Sequence, residues 1–448
     1  MIQVFKPLID VDKVLYELKP IFNSGWIGLG PKTKEFEDKL SEYIGAKHFV
    51  ALNSATAGLH LAIKCLNLPR GSKILTTSNT FISTNHAILY EDHIPVFCDI
   101  EKLTGNIDAN LIEQTLREDE EIKAIVVVHI GGYSCDMDKI NELAKKYNIP
   151  VVEDCAHSFG GEYNNKKIGN TDNICIWSFQ AVKNLPIGDG GAISTNNTEL
   201  YERLKKLRWL GINKDTVSRS NLESKKQTYS WDYDVEEVGY KYHPTDISSA
   251  VGLIGLETID KNNKRRREIA NYYRNNITSS NIIKPNYEES RISASHFLPL
   301  FFHNRDEVYD CLKKNDIYCG MHYKRNDKYK VFSKYVKINN LVNSEWYEKH
   351  ELTLPMHLFL KDEDLKLISL FLFPMIQQPW IQLHLQWAFP LIKLGALRSS
   401  GEPLLVVGEG AIIVLPDLLN DFGDFCGGGI GFPTTPFLLS LARNRSQN

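Results

Sequence analysis

Apolar residues along the first half of the chain fall into short runs separated by amphipathic stretches. Runs at His48 to Leu52, Ile74 to Thr77, Pro95 to Ile100, Ala124 to Ile130 and Pro150 to Asp154 have the length of buried strands. Between them, residues 57–67, 82–91, 108–118 and 138–148 carry apolar positions at helical spacing. Strand alternating with helix in this way predicts an α/β fold whose largely parallel sheet is covered on both faces. A sixth run, Ile174 to Phe179, reads as another buried strand. Helical patterns follow at 198–209 and Ile247 to Asp260. The polar segment between them, Asn213 to Asp234, reads as a long loop, a lid or a subunit arm. Residues 261–372 change texture: a basic helix (Lys261 to Asn275), a strand at Phe297 to Phe302, a helix from Arg305 to Asn315 and a closing helix from Asp362 predict a smaller α+β domain. The domains expected are therefore 1–250, 251–372 and an atypical tail, 373–448.

That tail departs from the rest. It has a single lysine, Lys393, in a chain otherwise rich in Lys, Asn and Ile, and Leu367 to Ile392 contains no Asp, Glu, Lys or Arg. The uncharged stretch is long enough to span a bilayer, but its prolines and glutamines argue against a spanning helix, and no membrane partner is expected. The tail reads as a fused or out-of-frame extension.

Composition narrows the picture further. With 43% apolar and 24% charged residues, 448 residues suffice for a two-domain globular core. Fifty-two Lys plus Arg against 55 Asp plus Glu leave no field that would attract nucleic acid, so a charged ligand must be held locally. Eight cysteines form no C-x-x-C pair and several sit in apolar runs, which predicts a reduced, cytoplasmic setting without structural zinc or another metal. The N-terminus has no apolar signal core.

Candidate chemistry clusters at strand ends. Ile174 to Phe179 delivers Ser178 and then Lys183 into a turn closed by Gly188, Gly190 and Gly191. A lysine desolvated there would give up its proton readily and could form a Schiff base with an aldehyde cofactor; otherwise it is a surface lysine beside a hairpin. Asn53-Ser54-Ala55-Thr56 at a helix start could hold a phosphate, or could simply cap the helix. Phe81 follows the second strand, where a flat ring could stack on it or where it could enter the core. Of Glu153 and Asp154, alternation sends one toward the site; an Asp there could pair with a protonated pyridine nitrogen or serve as a cap or ion-pair residue. Ser24-Gly-Trp26-Ile-Gly28-Leu-Gly30-Pro31 reads as an active-site or subunit-contact loop, or as a plain turn. His322, Tyr323 and His357 fall in loops of the smaller domain, where a structural role is expected.

Together with Pro95-Val-Phe-Cys-Asp99, Val128-His129-Ile-Gly-Gly132, Glu153-Asp154-Cys-Ala-His157, Gly239-Tyr-Lys-Tyr-His243-Pro-Thr-Asp and His322-Tyr323, these stretches resemble the DegT/DnrJ/EryC1/StrS family from about Ser24 to Leu370. The family comprises pyridoxal-phosphate (PLP) aminotransferases that act on nucleotide-linked keto-sugars. The resemblance implies an α/β, PLP-dependent transferase fold of type I, with a mostly parallel seven-stranded sheet in the large domain. It further implies a homodimer with the site near the subunit interface, pyridoxal 5'-phosphate as cofactor and glutamate as amino donor. Lys183 would bind the cofactor covalently, Asp154 would pair with the pyridinium nitrogen, and Phe81 would lie on the ring. Ala55, Thr56 and Ser178 would bind the phosphate, and His157 would sit near the ring oxygen. His243 stands where relatives mostly carry Asn or Arg reaching the partner's cofactor, Ala55 replaces a usual Gly, and Lys-Arg-Asn-Asp follows His322-Tyr323 in place of Pro-Leu-His. Rival readings are another type I PLP reaction, such as a sugar dehydratase or an amino-acid transaminase, or a non-catalytic regulatory relative.

Overall fold

A computed structural model describes residues 1–213, 233–277, 281–337, 340–377, 404–408 and 411–415. Residues 1–376 form one compact unit and 377–448 a second. Most of the expected loop at Asn213 to Asp234 and most of the uncharged stretch Leu367 to Ile392 lie outside the described residues. In the second unit the described part is an antiparallel hairpin, Leu404–Gly408 with Ala411–Leu415. Among the described residues, no helix is long and apolar enough to cross a membrane.

In the first unit, helices α1 (Val11–Ser24) and α2 (Pro31–Ile44) lead into β1 (His48–Leu52), α3 (Ala55–Cys65), β2 (Lys73–Thr77), α4 (Ile82–Tyr90) and β3 (Ile94–Cys98). Then come α5 (Ala109–Glu118), β4 (Ile122–Val128), α6 (Met137–Tyr147) and β5 (Val151–Asp154). A hairpin, β6 (Glu162–Tyr163) and β7 (Lys166–Lys167), precedes β8 (Ile174–Ser178), β9 (Gly191–Thr195) and α7 (Thr198–Leu207). The central sheet has the order β1-β9-β8-β5-β4-β2-β3, and it is extended at its edge by an eighth strand, β13 (Val336–Lys337), contributed by the later part of the chain. All neighbours are parallel except β9, which runs antiparallel to both β1 and β8.

Alternation along each strand sends neighbouring side chains to opposite faces, as the pleat requires. Ile74, Val126, Val152 and Ile176 pack under α3, α4 and α7, whereas Leu75, Ile125, Val127 and Val151 pack against α5 and α6. Burial on both faces explains why these strands read as continuous apolar runs. The hydrophobic contribution is large: each fully buried Val, Leu or Ile is worth roughly 1.5–3 kcal/mol.

The glycine-rich loop before α2 proves to be a helix cap and lies outside the lining of the cavity described below. Asp246, at the start of α8 (Asp246–Leu256), accepts the N–H groups of Gly30 (2.9 Å), Lys32 (3.0 Å) and Thr33 (2.9 Å), as well as the Thr33 hydroxyl (2.7 Å). These are the orphan donors of a helix start, satisfied by a residue more than two hundred positions away. A Cβ at position 30 would come within 1.9 Å of the Trp26 indole and 2.6 Å of the Asp246 carboxylate, so only glycine fits.

The long helix α9 (Ile259–Asn276) leads to a second, three-stranded antiparallel sheet, β10 (Ile282–Ile283), β12 (Pro299–Phe302) and β14 (Glu351–Thr353). Between them, β11 (Arg291–Ile292) pairs with β6. Helices α10 (Arg305–Lys314), α11 (Val342–His350) and α12 (Asp362–Gln377) complete this part.

Candidate active site

The parallel strands end on one side of the sheet, and there a cavity of about 370 Å³ opens. Its wall is assembled from the ends of β1, β2, β5 and β8 and from two loops of the smaller α+β part, the arrangement in which open α/β sheets bind ligands. Ser54, Ala55, Thr56, Phe81, Asp154, His157, Ser178 and Lys183 all line it. Of the residues expected at the site, His243 is the exception. It lies outside the cavity of its own chain, where its Nδ1 bonds the Pro244 carbonyl (2.7 Å) and its ring meets the edge of Trp209.

Alternation along β5 separates the two carboxylates. Glu153 turns away from the cavity, receives Nε2–H of His129 (2.9 Å) and the Asn173 amide (2.7 Å), and is buried. Because Nδ1 of His129 accepts the Cys135 N–H (3.1 Å), the ring proton must sit on Nε2 and point at Glu153. The His129, Glu153 and Cys155 ligand atoms lie within 4.8 Å of one another, and in this arrangement the His129 ring proton is held by Glu153. The seven described cysteines are unpaired thiols.

Asp154 turns into the cavity. Thr84 Oγ1 donates to its Oδ2 (2.7 Å) and the Ala156 N–H to its Oδ1 (3.1 Å). Burial pushes this carboxyl above its ordinary range, against the pull of Thr84, Ala156 and Lys183. Lys183 responds to the same enclosure in the opposite sense: burial lowers its ammonium to about 8, with Asp154 opposing. An amine so placed is deprotonated far more often at neutral pH than an exposed lysine.

The N-terminus of α3 supplies the third feature. Ser54 Oγ accepts the Ala57 N–H (3.1 Å), so Ser54 is a helix cap and a cavity residue at once. Position 191 on β9 must be glycine, because a Cβ there would lie 2.4 Å from the Ala55 nitrogen and 2.4 Å from the Ser54 carbonyl carbon. That close approach sets the helix start, with its N–H groups and positive dipole end, against the sheet beside Ser178.

On the far wall, rings stack in series. His157 lies over His296 (4.8 Å between centroids) and within 5.9 Å of Tyr323, whose hydroxyl bonds His157 Nε2 (3.0 Å). Burial holds His157 well below its usual range, hence neutral, and its Nδ1 is buried without a partner. Phe81 is 55% exposed and forms part of the cavity wall, so it is not a core residue.

Pyridoxal phosphate fits these residues on four counts: an anion-binding helix start, an enclosed amine, a buried carboxyl whose burial a cation would offset, and an orphaned imidazole nitrogen beside an uncovered aromatic ring. Sequence reasoning set His322 and Tyr323 aside as structural, yet both line the cavity, as do Phe5, Gln180 and His296. The two adjacent aromatic residues were a visible motif; Phe5 and His296 carried no local signal. Thr84, which fixes Asp154, looks like any helix threonine in the sequence.

These features define a type I PLP-dependent transferase, and comparison with known proteins agrees. Residues 9–371 match the model of the DegT/DnrJ/EryC1/StrS aminotransferase family, and the chain belongs to that family. A UDP-4-amino-4,6-dideoxy-N-acetyl-beta-L-altrosamine transaminase of Campylobacter jejuni is 35% identical over 376 residues, covering 82% of this chain and 95% of the relative. Helicobacter pylori PseC, an aminotransferase in the biosynthesis of pseudoaminic acid, superposes with a TM-score of 0.76 at 26% identity, covering 84% of this chain and 99% of that one. The PLP form of the sugar aminotransferase Spr1654 from Streptococcus pneumoniae gives 0.74 at 27% identity, covering 83% and 98%. The protein is a PLP-dependent aminotransferase.

Proposed function

We propose that this aminotransferase moves an amino group from glutamate onto the keto carbon of a nucleotide-linked deoxysugar, in amino-sugar or surface-polysaccharide biosynthesis. The observation that carries the site assignment is the placement of Lys183 and Asp154 in one cavity, each with its proton affinity shifted by the same enclosure. The sugar-nucleotide class is supported by the Campylobacter relative, a transaminase of a UDP-linked amino sugar.

When bound, PLP supplies an aldehyde carbon and an electron-withdrawing ring. Lys183 Nζ would hold it covalently and, once released, would carry a proton to and from the substrate carbon. Asp154, kept in line by Thr84, would hold a positive charge at the ring nitrogen. Ala55, Thr56 and Ser178 would hold the phosphate, Phe81 would cover the ring, and His157, whose Nδ1 is unpartnered, would serve the ring oxygen. The chain acts as a cytoplasmic homodimer. Its supporting feature is the apolar outer face of α1, where Leu15 (60%), Tyr16 (77%) and Phe22 (57%) lie open. In the dimer His243 reaches toward the partner's cavity.

Purified protein loaded with PLP, incubated with glutamate and a panel of 4-keto and 3-keto sugar nucleotides, tests this reading. Glutamate-dependent formation of an amino sugar nucleotide supports it; transfer only between simple amino and keto acids favours the amino-acid transaminase alternative.

A further inference from the structure

Behind His322 lies a carboxyl that the proposed chemistry does not use. Glu351, the first residue of β14, is fully buried. Its Oε2 accepts the backbone N–H of His322 (2.8 Å), and its Oε1 lies 2.7 Å from Thr353 Oγ1. The same hydroxyl lies 2.9 Å from His322 Nδ1. A threonine has one O–H proton, so it can donate to only one of these two neighbours and must accept from the other.

The consequence is a coupled proton arrangement. With Glu351 protonated, its proton sits on Oε1, since Oε2 already faces an N–H. That proton goes to Thr353 Oγ1, the Thr353 O–H goes to His322 Nδ1, and the proton of a neutral imidazole is left on Nε2. With Glu351 ionised, Thr353 donates to Oε1, and His322 must carry its proton on Nδ1 to keep the bond to Oγ1. We propose that Glu351, acting through Thr353, sets the tautomer of His322 and thereby decides whether the nitrogen left for the cavity, Nε2, donates to or accepts from a substrate oxygen. Glu351 and Thr353 are positioning residues in this scheme. The functional part rests on reading this cavity as the active site.

The charges around the three residues permit such a switch. Beside Glu351 stand Arg305, which donates to its main-chain carbonyl (3.2 Å), and the neutral groups Tyr347 and Cys319. Burial outweighs the pull of Arg305, of the His322 N–H and of Thr353, and pushes the carboxyl up to about 8. Facing His322 are Lys183, His157, His296 and Tyr323. Burial first and Lys183 second hold the imidazole down at about 3, so it stays neutral and only its tautomer can change. Near neutrality the switch rests with Nε2–H presented as a donor.

Ring-nitrogen NMR of the histidine-labelled, cofactor-loaded protein reads the tautomer directly, with His322→Gln assigning the signals. The wild type is expected to carry Nε2–H below pH about 8 and Nδ1–H above it. Glu351→Gln should hold Nε2–H across the range, because its amide donates to Thr353 where the protonated carboxyl did and still accepts the His322 N–H. Thr353→Val should abolish the titration and raise KM for the sugar acceptor about tenfold near neutrality, the worth of one hydrogen bond. An unchanged tautomer in the wild type at both extremes overturns the proposal. So does a Glu351→Gln protein that titrates like the wild type. A switch that operates while both variants keep wild-type kinetics leaves the relay standing and removes its link to the active site.

Discussion

Thr84, on α4, donates its hydroxyl to Oδ2 of Asp154, at the end of β5, over 2.7 Å, and its own oxygen in turn lies 2.9 Å from Thr80 Oγ1. Since Thr84 has one proton and spends it on the carboxylate, Thr80 is the donor of the second bond, and a two-hydroxyl chain fixes the orientation of Asp154. Thr84→Val keeps the shape and removes the proton. A hydrogen bond to a charged group is worth about 1.5–3 kcal/mol, so the variant should lose roughly tenfold to a hundredfold in kcat/KM while melting near the wild type. Steady-state kinetics beside a thermal melt checks this, and an unchanged rate would mean that Asp154 is held by Ala156 N–H and packing alone.

Gly191→Ala tests the close approach of α3 to β9. The added Cβ meets backbone at 2.4 Å, and backbone cannot swing aside as a side chain can. Overpacking of this kind costs about 1–3 kcal/mol. The expected result is a folded, less stable protein with weakened cofactor retention, measured by PLP content after gel filtration; full retention would show that the helix start does not hold the phosphate.

Stability against pH tests the enclosure of Lys183. Its folded value is about 8 against 10.5, so between these limits the unfolded chain binds more protons and stability rises with pH. The penalty for burying the ammonium is full below about 8 and gone above about 10.5. Lys183→Met removes it. Chemical denaturation of the cofactor-free proteins should find the methionine variant the more stable below pH about 8, the gap closing as pH approaches 10.5. A constant gap would place the amine in solvent.

Much of this fold could be read from the chain before its structure was known, because burial on both faces of the sheet left apolar runs too regular to miss. The run His48 to Leu52 is β1 to the residue, and Ile174 to Phe179 overshoots β8 by one. Strand β9 was not placed: the turn suggested a hairpin and the resemblance a seventh strand, but the small side chains of Gly191-Ala-Ile-Ser-Thr do not announce one until its antiparallel partners on both sides are known. Helix α11, with its Glu, Lys and His, has little apolar face to announce it. At the site, residues at strand ends were legible, since strand order and chain direction place them together. Phe5 and His296 were not, because nothing local says that loops so distant in sequence return to the mouth of the sheet; His322-Tyr323 was visible as a motif, but not its place in the cavity. The Ser24 to Pro31 loop was legible as a glycine-rich connection but not as a cap: its glycines admit Asp246, from more than two hundred positions away, to the start of α2.

A chain ended after Ile376 tests the boundary between the two units. The family match stops at residue 371, and every cavity residue precedes it. The shortened protein should keep its cofactor and its oligomeric state by size exclusion and PLP content. Loss of either would make residues after 376 part of the catalytic fold.

The central claim is that Lys183 is the residue that holds the cofactor. Borohydride reduction of the PLP-loaded protein, followed by peptide mapping by mass spectrometry, measures this directly. The account predicts a single reduced pyridoxyl adduct on Lys183, absent from Lys183→Ala, whose circular dichroism matches the wild type. An adduct on another lysine, or an undiminished adduct in Lys183→Ala, would contradict it.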